Sequence, residues 1–192
     1  DEPVALLSGK RNFEGTMFQS SMTFPKNSVL AKTLSLEMER GKAESSRRVE
    51  TQLLHFDGRF WRGYTYAWND EQTDAELVEA AGRDRLYTVA DPSEPEGQRE
   101  QVWHYSSRVE CTRCHNQWAE YALAFNIRQL NRPSSIYGLE ENQLDYFSRV
   151  KIIELPDVTA SEEPQSSYFS RLVDPYDARQ NIDRRARSWL HV

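Results

Sequence analysis

The chain has 192 residues, 38% of them hydrophobic, 28% charged and 11% aromatic, and 30 acidic against 24 basic residues give a formal charge of −6. That length supports the packed core of one ordinary domain, or two at most, without a disulfide framework, and no apolar run reaches the roughly 18 residues of a membrane span. The basic residues are scattered apart from Arg184, Arg185 and Arg187, so there is no basic face to track phosphates and nucleic acid is not an expected partner.

The opening segment, DEPVALLSGKRN, lacks the basic-then-apolar pattern of a signal peptide, and a chain starting at Asp1 is expected to have been processed or excised. From Thr16 to Trp68 the pattern is that of strands. Leu30, Leu34, Leu36 and Met38 fall on even positions after Phe24-Pro25, which predicts a strand with one apolar face. Val49 to Phe56 and Arg59 to Trp68, joined by Asp57-Gly58, predict a hairpin. On its second strand Phe60, Tyr64, Tyr66 and Trp68 share a face, a stripe that reads either as core or as a wall for a flat aromatic ligand.

Asp74 to Ala81 predicts a short helix stopped by Gly82, and Leu86 to Ala90 and Gln101 to Tyr105 predict strands separated by the polar loop DPSEPEGQRE. Ser107-Arg108-Val109-Glu110 has the S-x-x-E form of a capping box, so a helix should start near Arg108 and run through Cys111, Cys114 and His115. Farther on, Leu139, Leu144, Phe147 and Val150 suit a helix. Ile182, Ala186 and Trp189/Leu190 suit another, opened by Asp177-x-x-Gln180, with EEPQSSYF as a loop between the two. The expectation is an α+β chain whose N-terminal part, 14–105, is antiparallel sheet and whose remainder, 106–192, is the motif helix and a helical closing segment.

The two cysteines of the chain are Cys111 and Cys114, and His115 follows at once in CTRCH. This is the attachment signature of haem c: two thiols add to the porphyrin vinyl groups and the next histidine becomes the proximal iron ligand. Three residues apart on a helix, both sulfurs reach one porphyrin edge. Two other readings compete. A thioredoxin-type redox pair needs a βαβ setting, and none is legible. A zinc site needs further ligands, which would have to come from the isolated His55, His104 or His191. Haem alone explains why the histidine adjoins the second cysteine.

The blocks FPKNSVLAKTL, RRVETQLL, DGRFWRGYTYAWNDEQTDAEL, QVWHYSSRVECTRCH, NIRQLNR, NQLDYF and VDPYDARQNIDRRARSWLHV resemble, in order and spacing over 22–192, a family of secreted multidomain bacterial c-type cytochromes. In that family a domain of this kind precedes a second CxxCH cytochrome domain, often beside a quinoprotein dehydrogenase-like module. The resemblance implies that residues 1–192 form a single c-type haem domain, a fragment of a longer multi-haem protein, since Val192 stands where the second CxxCH would begin. The F-P-x-x-[ST]-V-L-x-K block at Phe24 to Lys32 is similar to β-sheet cytochromes of the c-prime-beta kind, whose haem is often five-coordinate.

For the sixth iron position the sequence offers Met22 or His104 foremost, with His55, His191, Met17 and Met38 behind them. Arg108 and Arg113 flank the thiols and could meet haem propionates, while Asp70, Glu71 and Asp74 read as a solvated turn, not a cation loop. The expected function is electron transfer outside the cytoplasm, in the periplasm or beyond, with a redox partner protein or domain. The alternatives are a five-coordinate haem domain acting on peroxide or binding nitric oxide or carbon monoxide, and a zinc-stabilised interaction module.

Overall fold

The computed structural model describes residues 4–6, 22–123, 125–136, 139–155 and 164–190; the strand expected from Thr16 as far as Ser21, Met17 and His191 lie outside them. In chain order the strands are β1 (Val4–Leu6), β2 (Met22–Thr23), β3 (Val29–Glu37), β4 (Ser46–Phe56), β5 (Trp61–Trp68), β6 (Ala75–Leu77), β7 (Arg83–Ala90) and β8 (Gln98–Tyr105). Helix α1 (Arg108–Cys114) and helix α2 (Ile127–Leu130) follow, then β9 (Pro133–Ile136), β10 (Leu139–Asn142), α3 (Gln143–Arg149), β11 (Ile153–Glu154) and α4 (Ile182–Leu190). Strands dominate the first half and most helices come late, so the chain is of α+β class; among the described strands all pair antiparallel except β1 with β11. It divides into two compact units, Lys26–Tyr121 and Asp1–Pro25 with Ala122–Val192.

In Lys26–Tyr121 an antiparallel sheet runs β3-β4-β5-β6, and β7 and β8 pair as a hairpin. The even-numbered leucines of β3 alternate as expected. Opposite Leu34 and Ser35 the register skips one residue of β4, leaving Val49 without a partner between Arg48 and Glu50. This bulge turns both Val49 and Glu50 inward, so the strand buries a carboxylate beside an apolar side chain.

The hairpin at Asp57-Gly58 forms with a four-residue loop, because Phe56 pairs with Trp61. Asp57 Oδ1 accepts the N–H groups of Arg59 and Phe60, and Arg62 donates to Oδ2. Those donors hold the Asp57 carboxyl down at about 2. The helix expected over Asp74–Ala81 is not formed. A turn at Asn69–Asp74, with Gln72 in the left-handed region, sends Ala75–Leu77 back along Tyr66–Trp68 as β6. Eight residues interrupted this way cannot repay helix nucleation, whereas three ladder pairs are available at once.

The aromatic stripe is the second correction. On β5 the buried residues are Gly63, Thr65 and Ala67; Tyr64, Tyr66 and Trp68 lie half-buried on the opposite face, and Phe60 is in the loop. A helix and a hairpin can approach a sheet closely only over small side chains. Trp68 is occupied on its own face, its indole N–H donating to Thr51 Oγ1 and the Arg48 guanidinium stacking 3.7 Å from its ring centre.

The other unit has its own core: Ile127 and Leu130 of α2, Leu144 of α3, Ile153 of β11, and Leu155, with Met22, Phe125, Phe147 and Phe169 packed around them. Buried Asn131 ties it together, donating to the Ser166 and Phe169 carbonyls while its own oxygen accepts from Asn142. The third expected helix is α3, but Leu139 belongs to β10 and Val150 lies past the helix end. The fourth is α4. It is opened by Asn181, whose Oδ1 accepts from the Asp183 and Arg184 N–H groups, and not by Asp177, which is engaged by Arg179 and Gln180. The stretch read as EEPQSSYF contains a 3-10 turn, Gln165–Tyr168.

Candidate functional site

Helix α1 carries both cysteines of the chain, and its start is fixed as the sequence implied. Ser107 Oγ accepts the Glu110 N–H at 3.2 Å and the Glu110 carboxylate accepts the Ser107 N–H at 2.9 Å, closing the capping box. Three further bonds seat the junction. Arg108 N–H donates to Ala80 O, Thr65 Oγ1 donates to Ser106 O, and Glu110 also accepts from the Ser107 hydroxyl. Gly82 makes this approach feasible: at φ 75° it sits where a Cβ would stand 2.5 Å from Tyr105 O and 2.8 Å from Ser107 N.

Both cysteines are free thiols on this helix. Cys111 faces inward over Gly63 of β5, and a Cβ on Gly63 would lie 2.7 Å from Cys111 Cβ and 2.9 Å from its Sγ. Cys114 is exposed. Burial pushes the Cys111 thiol up from its usual range, and the nearby Glu50 and Glu110 carboxylates act in the same direction.

His115 caps the helix, its N–H donating to Cys111 O at 2.9 Å. The loop that follows is built around its ring. Asn116 Oδ1 accepts from Trp118 and Ala119, its side-chain amide donates to Arg113 O, and its carbonyl accepts the Tyr121 N–H. Glu120 and Tyr121 are both left-handed, at φ 54° and 61°. Each such residue costs roughly 1–2 kcal/mol when it is not glycine. The pair turns the Tyr121 carbonyl back to His115 Nδ1, 2.5 Å away. A carbonyl only accepts, so Nδ1 carries a proton, and in the neutral ring Nε2 then holds the lone pair available to a metal. This orienting carbonyl was not legible in the sequence, because it is a backbone atom placed by a loop conformation.

The structure puts the two foremost candidates for an opposing ligand to other uses. His104, exposed on β8, has Nδ1 2.6 Å from Asp84 Oδ1 and Nε2 3.1 Å from Glu110 Oε2. Contact with a carboxylate at both nitrogens favours the imidazolium, and the hydrogen bonds it donates to Asp84 and Glu110 raise its pKa. Met22 sits on β2 of the other unit, packed against the cluster around Leu144. Of the remaining candidates, His55 lies on β4 and Met38 follows β3. Arg108 extends over the Tyr64 ring at 5.1 Å, and Asp70 pairs with Arg85 at 2.6 Å.

No family model, no curated protein and no solved structure matches this chain.

Proposed function

We propose that the chain is a c-type haem domain that carries single electrons outside the cytoplasm, as its resemblance to secreted multidomain cytochromes implies. The observation that carries this reading is the pairing of CTRCH with His115 Nδ1 bound to Tyr121 O. Two unpaired thiols three residues apart on one short helix suit addition to the two vinyl groups of a single porphyrin, and the adjoining imidazole offers Nε2. A ligating histidine whose other nitrogen donates to a backbone carbonyl is held in one tautomer and one orientation.

In this reading Cys111 and Cys114 hold the haem by thioether bonds, His115 supplies the proximal nitrogen, and Gly63 leaves room for Cys111 against the sheet. When bound, the group supplies one-electron exchange at iron. The partner is a redox protein or domain, such as a following cytochrome domain or a quinoprotein dehydrogenase, and the compartment is the periplasm or the exterior, where thioether attachment is carried out. The occupied state of His104 and the packing of Met22 favour a second reading of the same site, a five-coordinate haem open to carbon monoxide, nitric oxide or peroxide.

A pyridine haemochrome spectrum of the chain produced with a haem-attachment system tests the proposal. A c-type band that survives acid-acetone extraction is expected, and its absence would overturn the haem reading. Carbon monoxide added to the reduced protein separates the two coordination states: an unchanged low-spin spectrum removes the five-coordinate one.

A further inference from the structure

Glu50 is a buried carboxylate of the sheet on which the motif helix rests through β5. It is 2% exposed, delivered inward by the β4 bulge. Both oxygens are engaged, but only by neutral donors: the Trp103 indole N–H gives 2.9 Å to Oε2 and the Gln52 amide gives 2.9 Å to Oε1. Among the described residues no cation pairs with it. A carboxylate held at this depth by neutral donors alone is expensive to keep. Its bond to Trp103 ties β8 to β4, and the same carboxylate also acts on the motif helix.

Position points to the role. The pairs Glu50 with Ala67, Gln52 with Thr65 and Leu54 with Gly63 put these six residues on one face of the sheet. Cys111 rests on Gly63 of that same face. Glu50 also stands among the charges that act on the Cys111 thiol. In a water-poor interior such a charge is felt over several ångströms with little screening.

We infer that Glu50 is a potential-setting residue of the site, a buried carboxylate on the same sheet face as the Gly63 floor of Cys111 that favours the ferric over the ferrous iron. This rests on the haem reading. When the iron takes one electron from a reduced mediator, ferric to ferrous, the site loses one unit of positive charge and with it part of its attraction to Glu50. The reduced form is therefore disfavoured and the midpoint potential lowered. Trp103 and Gln52 hold the carboxylate in place without neutralising it, which a lysine or arginine in their stead would do.

The test is a mediator-coupled redox titration of the haem-loaded wild type, Glu50→Gln and Glu50→Asp, each first checked by haemochrome. Glu50→Gln keeps the shape and removes the charge. At fixed applied potential its ferrous-to-ferric ratio should rise about tenfold, equivalent to 59 mV for one electron. Glu50→Asp keeps the charge and should stay near wild type. Should Glu50→Gln fold poorly, Glu50→Met, apolar and of like volume, reads the same quantity. Haem bound with the ratio unchanged in the charge-free variant overturns the role of Glu50 alone. No haemochrome in the wild type overturns the haem reading and this inference with it.

Discussion

The Cα of Gly63 on β5 is the floor on which the Cys111 side chain rests, and no other residue type leaves that space: a Cβ there would be 2.7 Å from Cys111 Cβ. Because the helix is pinned at its start by the capping box and by Ala80 O, it cannot simply lift away. Gly63→Ala should therefore destabilise the protein by about 1–3 kcal/mol, the usual range for overpacking a filled site, read as a fall in the urea midpoint at unchanged slope. A midpoint equal to wild type would show that the contact yields freely. In the haem-loaded form the same variant should attach more haem through Cys114 alone, seen as a change in the haemochrome band.

The helix start is a second point of leverage. Ser107→Ala removes the acceptor for the Glu110 N–H and should lower stability by about 1 kcal/mol, measured by thermal or urea unfolding.

Glu110 and His104 together make that helix start sensitive to pH. The Glu110 carboxyl is held at about 2 by the Ser107 N–H, His104 and the Ser107 hydroxyl, against an ordinary 4.5. Its contribution is complete above pH 4.5 and is lost as the pH falls toward 2. His104 is raised above its ordinary 6.5 by Asp84 and Glu110, so its contribution is complete below pH 6.5 and fades as the pH rises through the raised value. The Asp84-His104-Glu110 clamp is thus fully formed between pH 4.5 and 6.5. Urea midpoints measured from pH 5 to 9 should decline in the wild type and decline less in His104→Gln; parallel profiles would remove His104 from the account.

The two thiols should differ in reactivity in the free chain. Cys114 is exposed, whereas Cys111 is half-buried over Gly63 with its pKa raised by burial. Iodoacetamide at neutral pH should label Cys114 first, as located by peptide mass mapping, and Cys111 more slowly and with a steeper rise at alkaline pH. Equal rates would contradict the packing of Cys111 against β5.

Asn116 organises the loop that presents the Tyr121 carbonyl to His115. Asn116→Ala removes acceptors for two N–H groups and should let the left-handed pair at Glu120 and Tyr121 relax. By nitrogen NMR, the neutral His115 ring should be protonated at Nδ1 in the wild type and divided between Nδ1 and Nε2 in the variant. An unchanged tautomer would assign the orientation of His115 to something other than this loop.

Local signals in the chain settle what local physics can settle. The period-two leucines of β3, the hairpin around Asp57-Gly58, the strand character of Leu86 to Ala90 and Gln101 to Tyr105, the Ser107 capping box and the adjacency of Cys111, Cys114 and His115 each depend on neighbours within a few residues, and each is legible in the sequence. What the sequence leaves open depends on partners distant in the chain. The Ala75–Leu77 segment has a helical pattern, but its pairing with β5 decides it as strand. The alternation of Gly63, Thr65 and Ala67 with three aromatics is visible in the sequence, yet which face is buried follows from the close approach of α1, which only the small face allows. The burial of Glu50 comes from a bulge opposite Leu34, and the orientation of His115 from a carbonyl aimed by two left-handed residues. The sequence by itself determined the chemical groups of the site and the helix that carries them. Only the tertiary structure decided which thiol is covered, which imidazole nitrogen meets a carbonyl and which carboxylate the sheet buries, because those depend on backbone placement across strands that no local pattern encodes.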